Sequence, residues 1–181
     1  MRFSAAGLPG VYLLDLERQE DERGFFARTF CEREFEAQGL PARYPQCNLS
    51  FNRRRGTLRG LHYQAAPHRE AKVVRCSRGA VHDVVVDLRE GSPSRGRWVG
   101  VLLDAESRRA IYVPPGFAHG FLTLRDETEV LYHMGEFYVP EAARGVRWDD
   151  PAFSIRWPFP PLVMSERDRG YPDFQAGRFD G

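Results

Sequence analysis

The segment Thr57-Leu58-Arg59-Gly60-Leu61-His62-Tyr63-Gln64 sets a histidine and an arginine among apolar residues in a run with strand character. An imidazole can move protons near neutral pH, and a guanidinium is a forked donor suited to phosphate or carboxylate. Period-two alternation puts Arg59, Leu61 and Tyr63 on one face and Leu58, Gly60, His62 and Gln64 on the other. The two functional groups therefore diverge unless a bulge at Gly60 re-aims the chain. A strand histidine taken alone is more often a hydrogen-bonded core residue than a catalyst, so its neighbours must decide.

A second run, Val81-His82-Asp83-Val84-Val85-Val86-Asp87-Leu88, carries Asp83 and Asp87 on one face among apolar residues. A carboxylate entering a core needs a partner, because an unpaired buried charge is costly. Lys72 and His119 are the candidates. In Pro114-Pro115-Gly116-Phe117-Ala118-His119-Gly120-Phe121 a rigid turn delivers a histidine into an aromatic strand. Packing accounts for Phe117 and Phe121 but not for His119. The five histidines, at 62, 68, 82, 119 and 133, never form His-x-His, the spacing that sets two metal ligands on one strand face, so no metal is expected. Cys31, Cys47 and Cys76 are odd in number and lack a Cys-x-x-Cys spacing, which makes buried free thiols the expectation.

Many short strands must position these groups. Runs at 11–16, 25–30, 57–63, 72–76, 81–88, 98–103, 110–113, 121–124 and 129–138 are rich in β-branched and aromatic residues and are cut by glycine and proline. Such punctuation points to an all-β barrel or sandwich. One short helix is expected at 32–38, closed by Gly39, as a cover rather than a core element. After Tyr138 the chain turns to Pro, Trp and Arg, and Trp157-Pro158-Phe159-Pro160-Pro161 can continue neither a helix nor a central strand. An irregular tail wrapped over the barrel follows.

The 181 residues suffice for one substantial core, and a single domain over 1–181 is expected. The 26 basic residues nearly balance the 25 acidic ones, which argues against a nucleic-acid-coating surface. Arg53-Arg54-Arg55 reads either as a solvated turn or as a phosphate contact. No apolar run reaches membrane-spanning length and the amino terminus lacks a signal-peptide pattern, so the cytoplasm is the expected compartment.

Several strings in order, Asp21-Glu22-Arg23-Gly24-Phe25-Phe26, Gln46-Cys47-Asn48-Leu49-Ser50, Arg59 to Gln64, Lys72, Asp83 to Arg89, Pro114 to Phe121, Leu131-Tyr132, Tyr138 and Ser165-Glu166-Arg167-Asp168, resemble the dTDP-4-dehydrorhamnose 3,5-epimerases. The resemblance runs from about Gly10 to Phe174. It implies a cupin-type jelly-roll barrel without metal or cofactor, and a homodimer in which an N-terminal strand of one subunit helps form the other's site. The implied substrate is a nucleotide-activated 4-keto-6-deoxy sugar, whose carbonyl acidifies the hydrogens at C3 and C5. Inversion of both centres would convert dTDP-4-dehydro-6-deoxy-D-glucose into dTDP-4-dehydro-L-rhamnose.

On this resemblance His62 is the base, Asp168 the carboxylate that orients it, Tyr132 the acid across the ring, and Lys72 the contact to the 4-keto oxygen. Arg23 and Arg59 match nucleotide or pyrophosphate contacts. Phe26 and Tyr138 match aromatics that pack on the base, with Gln46 and Asn48 as polar contacts nearby, and Asp83, His119 and Arg167 complete the expected substrate-binding set. Arg167 stands where a lysine is usual. Arg28 and Ala143 stand where glutamates are usual, both at the nucleotide and substrate rim. The preferred nucleotide and sugar, inversion at one centre rather than two, and a binding module without turnover stay open at this point.

Overall fold

Alternating and β-branched runs build thirteen strands in this computed structural model, which describes residues 1–174; residues 175–181 of the expected domain lie outside the described part. The chain begins with β1 (Arg2–Ala5), β2 (Tyr12–Asp15), β3 (Gln19–Asp21) and β4 (Gly24–Phe26), followed by helix α1 (Glu32–Ala37). The central strands are β5 (Gln46–Asn52), β6 (Leu58–Gln64), β7 (Lys72–Arg78), β8 (Ala80–Asp87) and β9 (Trp98–Asp104). Next come β10 (Ala110–Val113), β11 (Phe117–Thr123) and β12 (Thr128–Met134), then the short β13 (Ala143–Gly145) and α2 (Glu166–Arg169).

The strands form two antiparallel sheets, ordered β1-β2-β10-β7-β12-β5 and β13-β6-β11-β8-β9, while β3 and β4 pair only with each other. Neighbours such as β10 and β7, or β6 and β11, are distant in sequence, so the chain crosses repeatedly between sheets in jelly-roll fashion. Alternation explains how β8 is buried along nearly its whole length. Val81 and Val85 enter the core between the sheets with Val74, Ile111, Phe117, Phe121 and Val130. Val84 and Val86 face the other way and are covered by Phe153, Ile155 and Trp157 of the tail. The irregular tail therefore roofs one sheet. Backbone bonds from Leu162 to Gly56 (2.8 Å) and from Leu58 to Val163 (2.9 Å) tie it down.

Three strand expectations need correction. Residues 25–30 are not one strand: β4 ends at Phe26, and Phe30 instead packs its ring on Phe35 and Tyr44 to seat α1. β11 starts at Phe117 rather than at Phe121, so the turn leads into a longer strand that includes His119. β12 stops at Met134, leaving Tyr138 on the following loop. Strands β1 and β5 lacked a core signature because both lie at the edges of their sheet. α1 ends as expected, with Gly39 at φ +70°. Of the cysteines only Cys76 is buried; Cys47 is exposed and Cys31 partly so. No helix among the described residues is long and apolar enough to cross a membrane.

Candidate active site

The site opens between the two sheets, where β6 and β11 face β7, β12 and β5 across a cavity of about 330 Å³. His62 comes from β6. Its Nε2 lies 2.7 Å from Asp168 Oδ1, although the two residues are 106 positions apart. The tail delivers this carboxylate on α2, where the Ser165 hydroxyl caps the helix by accepting the Asp168 amide at 3.1 Å. The Gly60 amide donates to the second oxygen, Asp168 Oδ2, at 3.3 Å. Burial opposes the carboxylate's charge, but bonding to His62, the Gly60 amide and the Ser165 hydroxyl outweighs it, and the carboxyl stays below its usual range. An imidazole so held keeps one tautomer: with Nε2–H donating to Asp168, the lone pair sits on Nδ1.

Alternation alone had separated Arg59 from His62, and the structure brings both to the cavity. His119 pairs with His62 and Phe121 with Arg59, so two steps on β11 match three on β6. The additional residue is a bulge. Gly60 permits it, at φ +129° with its α-carbon pressed against the Gly120 backbone, where an added Cβ would lie 2.5 Å from Gly120 Cα. Arg59 is fixed by a 2.8 Å bond to Asn52 Oδ1.

Lys72 enters from β7 and is buried. Its ammonium donates to the His62 carbonyl at 3.0 Å and meets Glu70 Oε1 at 3.0 Å. Glu70 also lines the cavity, and sequence reasoning missed it; a carboxylate two positions before a buried strand lysine was the available signal. Tyr132 projects from β12 on the opposite wall. Burial, reinforced by the negative charge of Asp83, pushes its phenol far above the ordinary range, so it stays protonated.

Asp83 was expected to contact substrate; it does not line the cavity. It is fully buried behind it, with Oδ2 at 2.8 Å from His119 Nε2, so of its two candidate partners His119 is the one used. Lys72 pairs with Glu70 instead. His119 does reach the cavity wall, its ring edge-on to Tyr132 with centroids 6.1 Å apart.

Gln46, Asn48, Tyr138 and Arg167 line the rim. Gln46 Oε1 accepts the Tyr138 amide at 2.7 Å, and Gln64 Oε1 accepts the Val139 amide at 2.7 Å, which fixes the loop after β12. Arg23 and Phe26 are not brought to this cavity within one chain. They lie on the separate β3–β4 hairpin, where Arg23 binds Asp21 and Phe26 is 72% exposed. Arg28 pairs with Glu34 near that hairpin, whereas Ala143 lines the cavity on β13. Arg53 to Arg55 form an exposed turn, with Arg55 stacked over Phe159. Among the described residues no group of three or more His, Cys, Asp or Glu side chains is arranged to hold a metal.

A jelly-roll barrel whose cavity gathers an imidazole–carboxylate pair, an ammonium and a protonated phenol defines a cupin-type isomerase working by proton transfer. The model of the dTDP-4-dehydrorhamnose 3,5-epimerase family matches residues 5–176, and the chain belongs to that family. It is 45% identical to a dTDP-4-dehydrorhamnose 3,5-epimerase of Methanothermobacter thermautotrophicus, over 94% of this chain and 92% of the relative. A dTDP-4-dehydrorhamnose 3-epimerase of Streptomyces niveus is 43% identical over 93% of this chain and 82% of its own length. The crystal structure of the 3,5-epimerase from Elizabethkingia anophelis superposes with a TM-score of 0.93 at 39% identity, covering 96% of both chains.

Proposed function

We propose that the chain epimerises dTDP-4-dehydro-6-deoxy-D-glucose at C3 and C5 to dTDP-4-dehydro-L-rhamnose. The single observation that carries this reading is the 2.7 Å His62–Asp168 pair opening on the same cavity as Lys72 and Tyr132. His62 takes the proton from a carbon beside the carbonyl, and the C–H electrons move into an enolate whose oxygen faces Lys72. An ammonium there stabilises the developing oxyanion more than the neutral ketone, which lowers the barrier rather than merely tightening binding. Tyr132 then gives its proton to the opposite face of that carbon, the enolate electrons form the new C–H bond, and the carbonyl returns. Asp168 holds His62 in orientation through both transfers. Arg59 and Arg167 at the rim suit the pyrophosphate, with Gln46, Asn48 and Tyr138 as further contacts to the substrate.

The finer assembly belongs to the same reading: a homodimer with an exchanged N-terminal segment. The β3–β4 hairpin pairs with no sheet of its own chain, and β5 is left at a sheet edge with Leu49 and Phe51 exposed. An exchanged hairpin would carry the partner's Arg23 and Phe26 towards the cavity mouth. Sedimentation should then give twice the chain mass.

The test of the reaction is incubation of wild-type enzyme with dTDP-4-dehydro-6-deoxy-D-glucose in deuterium oxide, followed by NMR of the sugar. Deuterium at C3 and C5 with inverted configuration is the expected result. Label at one carbon alone would make this a single-centre epimerase, and dTDP binding without any exchange would make it a sugar-nucleotide binding module.

A further inference from the structure

Glu70 is 7% exposed, and its two carboxylate oxygens have different surroundings. Oε1 meets the Lys72 ammonium at 3.0 Å, whereas Oε2 is buried with no hydrogen-bond partner among the described residues. A buried carboxylate oxygen left unpaired costs stability, and such groups are rarely kept without a use. This one belongs to a residue that lines the cavity. Oε2 can accept a hydrogen bond, and its carboxylate sits beside the ammonium assigned to the substrate carbonyl.

We propose that Glu70 is a specificity-determining substrate contact whose Oε2 accepts a hydrogen bond from a hydroxyl vicinal to the ketone. This rests on the function proposed above. In a 4-keto-6-deoxy sugar the carbonyl carbon has two neighbours, C3 bearing a hydroxyl and C5 bearing a methyl. Only the C3 side offers a donor, so one carboxylate, through Lys72 on one oxygen and the 3-hydroxyl on the other, fixes which side of the ketone faces which wall. The pair reads the hydroxyketone as a unit: the ammonium donates to the carbonyl oxygen and the carboxylate accepts from its neighbour. A sugar lacking that hydroxyl leaves Oε2 unpaired, and sites built to bind a hydroxyl reject analogues without it.

The test compares dTDP-4-dehydro-6-deoxy-D-glucose with its 3-deoxy counterpart, following solvent deuterium uptake at C5, a position both substrates share. Wild-type enzyme should prefer the 3-hydroxy sugar in kcat/KM by about tenfold or more, the size of a hydrogen bond to a charged acceptor. In Glu70→Gln the amide oxygen can still face Lys72 while the amide NH2 replaces the acceptor, and the preference should fall to about threefold or less. Glu70→Ala should lose it as well, which keeps the test intact if either variant folds poorly. A preference unchanged in a folded variant would overturn the assignment, as would equal use of both sugars by wild type. Absence of any wild-type exchange with the 3-hydroxy sugar would instead overturn the proposed reaction, and this assignment with it.

Discussion

His62 and His119 are cross-strand partners on β6 and β11, and each imidazole is bonded to a different carboxylate, His62 to Asp168 at 2.7 Å and His119 to Asp83 at 2.8 Å. The pairs differ in access. The His62 side chain is 43% exposed and that of His119 only 4%. Both imidazoles line the cavity, and the more exposed one is the one proposed above as the base.

Truncation should separate the two. His62→Ala is expected to lower kcat by about 100- to 10,000-fold while dTDP affinity changes little, because a base acts in the transition state, and to cost less stability than the His119 variant because Asp168 keeps the bond from the Gly60 amide. His119→Ala leaves the fully buried Asp83 without its partner and should cost about 2–4 kcal/mol of stability. Steady-state rates alongside thermal melts check both, and near-normal turnover by the His62 variant would remove it from the base role.

Tyr132→Phe tests the two-faced geometry. The phenyl ring keeps the bulk, so substrate should still bind and His62 should still remove a proton, but no acid remains on the far wall. Recovered substrate should carry deuterium while epimer formation falls by about 100-fold or more. Mass spectrometry of substrate and NMR of product measure the two separately; undiminished epimer would exclude the tyrosine as acid.

His62 was legible in the sequence as a candidate base, whereas its surroundings were not. Arg59 and His62 share the cavity because of a bulge that strand periodicity cannot display. Asp83 and Asp87 looked alike as inward carboxylates, yet one bonds a histidine and the other a cluster of Arg89, Ser92 and Ser94. Asp168 could be assigned only by resemblance, since nothing local in an irregular tail tells which barrel residue it will meet. Glu70 escaped notice because its meaning depends on an oxygen left without a partner, which only coordinates reveal.

Asp87 makes an acid-stability prediction. Burial raises its pKa, but bonds from Arg89, Ser92 and Ser94 more than offset that and bring it down to about 2 from 3.8. A depressed folded-state value means stability that is present above about pH 4 and lost as pH falls towards 2, worth about 2 kcal/mol. Asp87→Asn should be less stable at neutral pH and flatten the acid limb in that window. Urea unfolding at several pH values measures it, and an unaltered limb would show that other carboxylates dominate.

Gly60→Ala should be poorly tolerated. The new methyl would meet Gly120 Cα at 2.5 Å and the His119 carbonyl at 3.0 Å, on a residue already at positive φ. Two backbones cannot part without moving His62 and the amide that binds Asp168. A loss of at least about 2 kcal/mol is expected, read as a lower urea midpoint with unchanged slope. Wild-type stability in this variant would mean the bulge can relax.

Because Asp168 rides on the roofing tail and not on a barrel strand, His62 and its carboxylate partner belong to separate segments, joined by backbone bonds at Gly56, Leu58 and Gly60 and by the packing of Phe153, Ile155 and Trp157 over the sheet. Local openings in a native protein cost less than global unfolding, and a peripheral segment is where they begin. Detachment of that segment would disarm the enzyme with its sheets still folded. Turnover should therefore fade at a lower denaturant concentration than the β-sheet circular dichroism, making catalytic competence a reporter of tail docking rather than of barrel integrity.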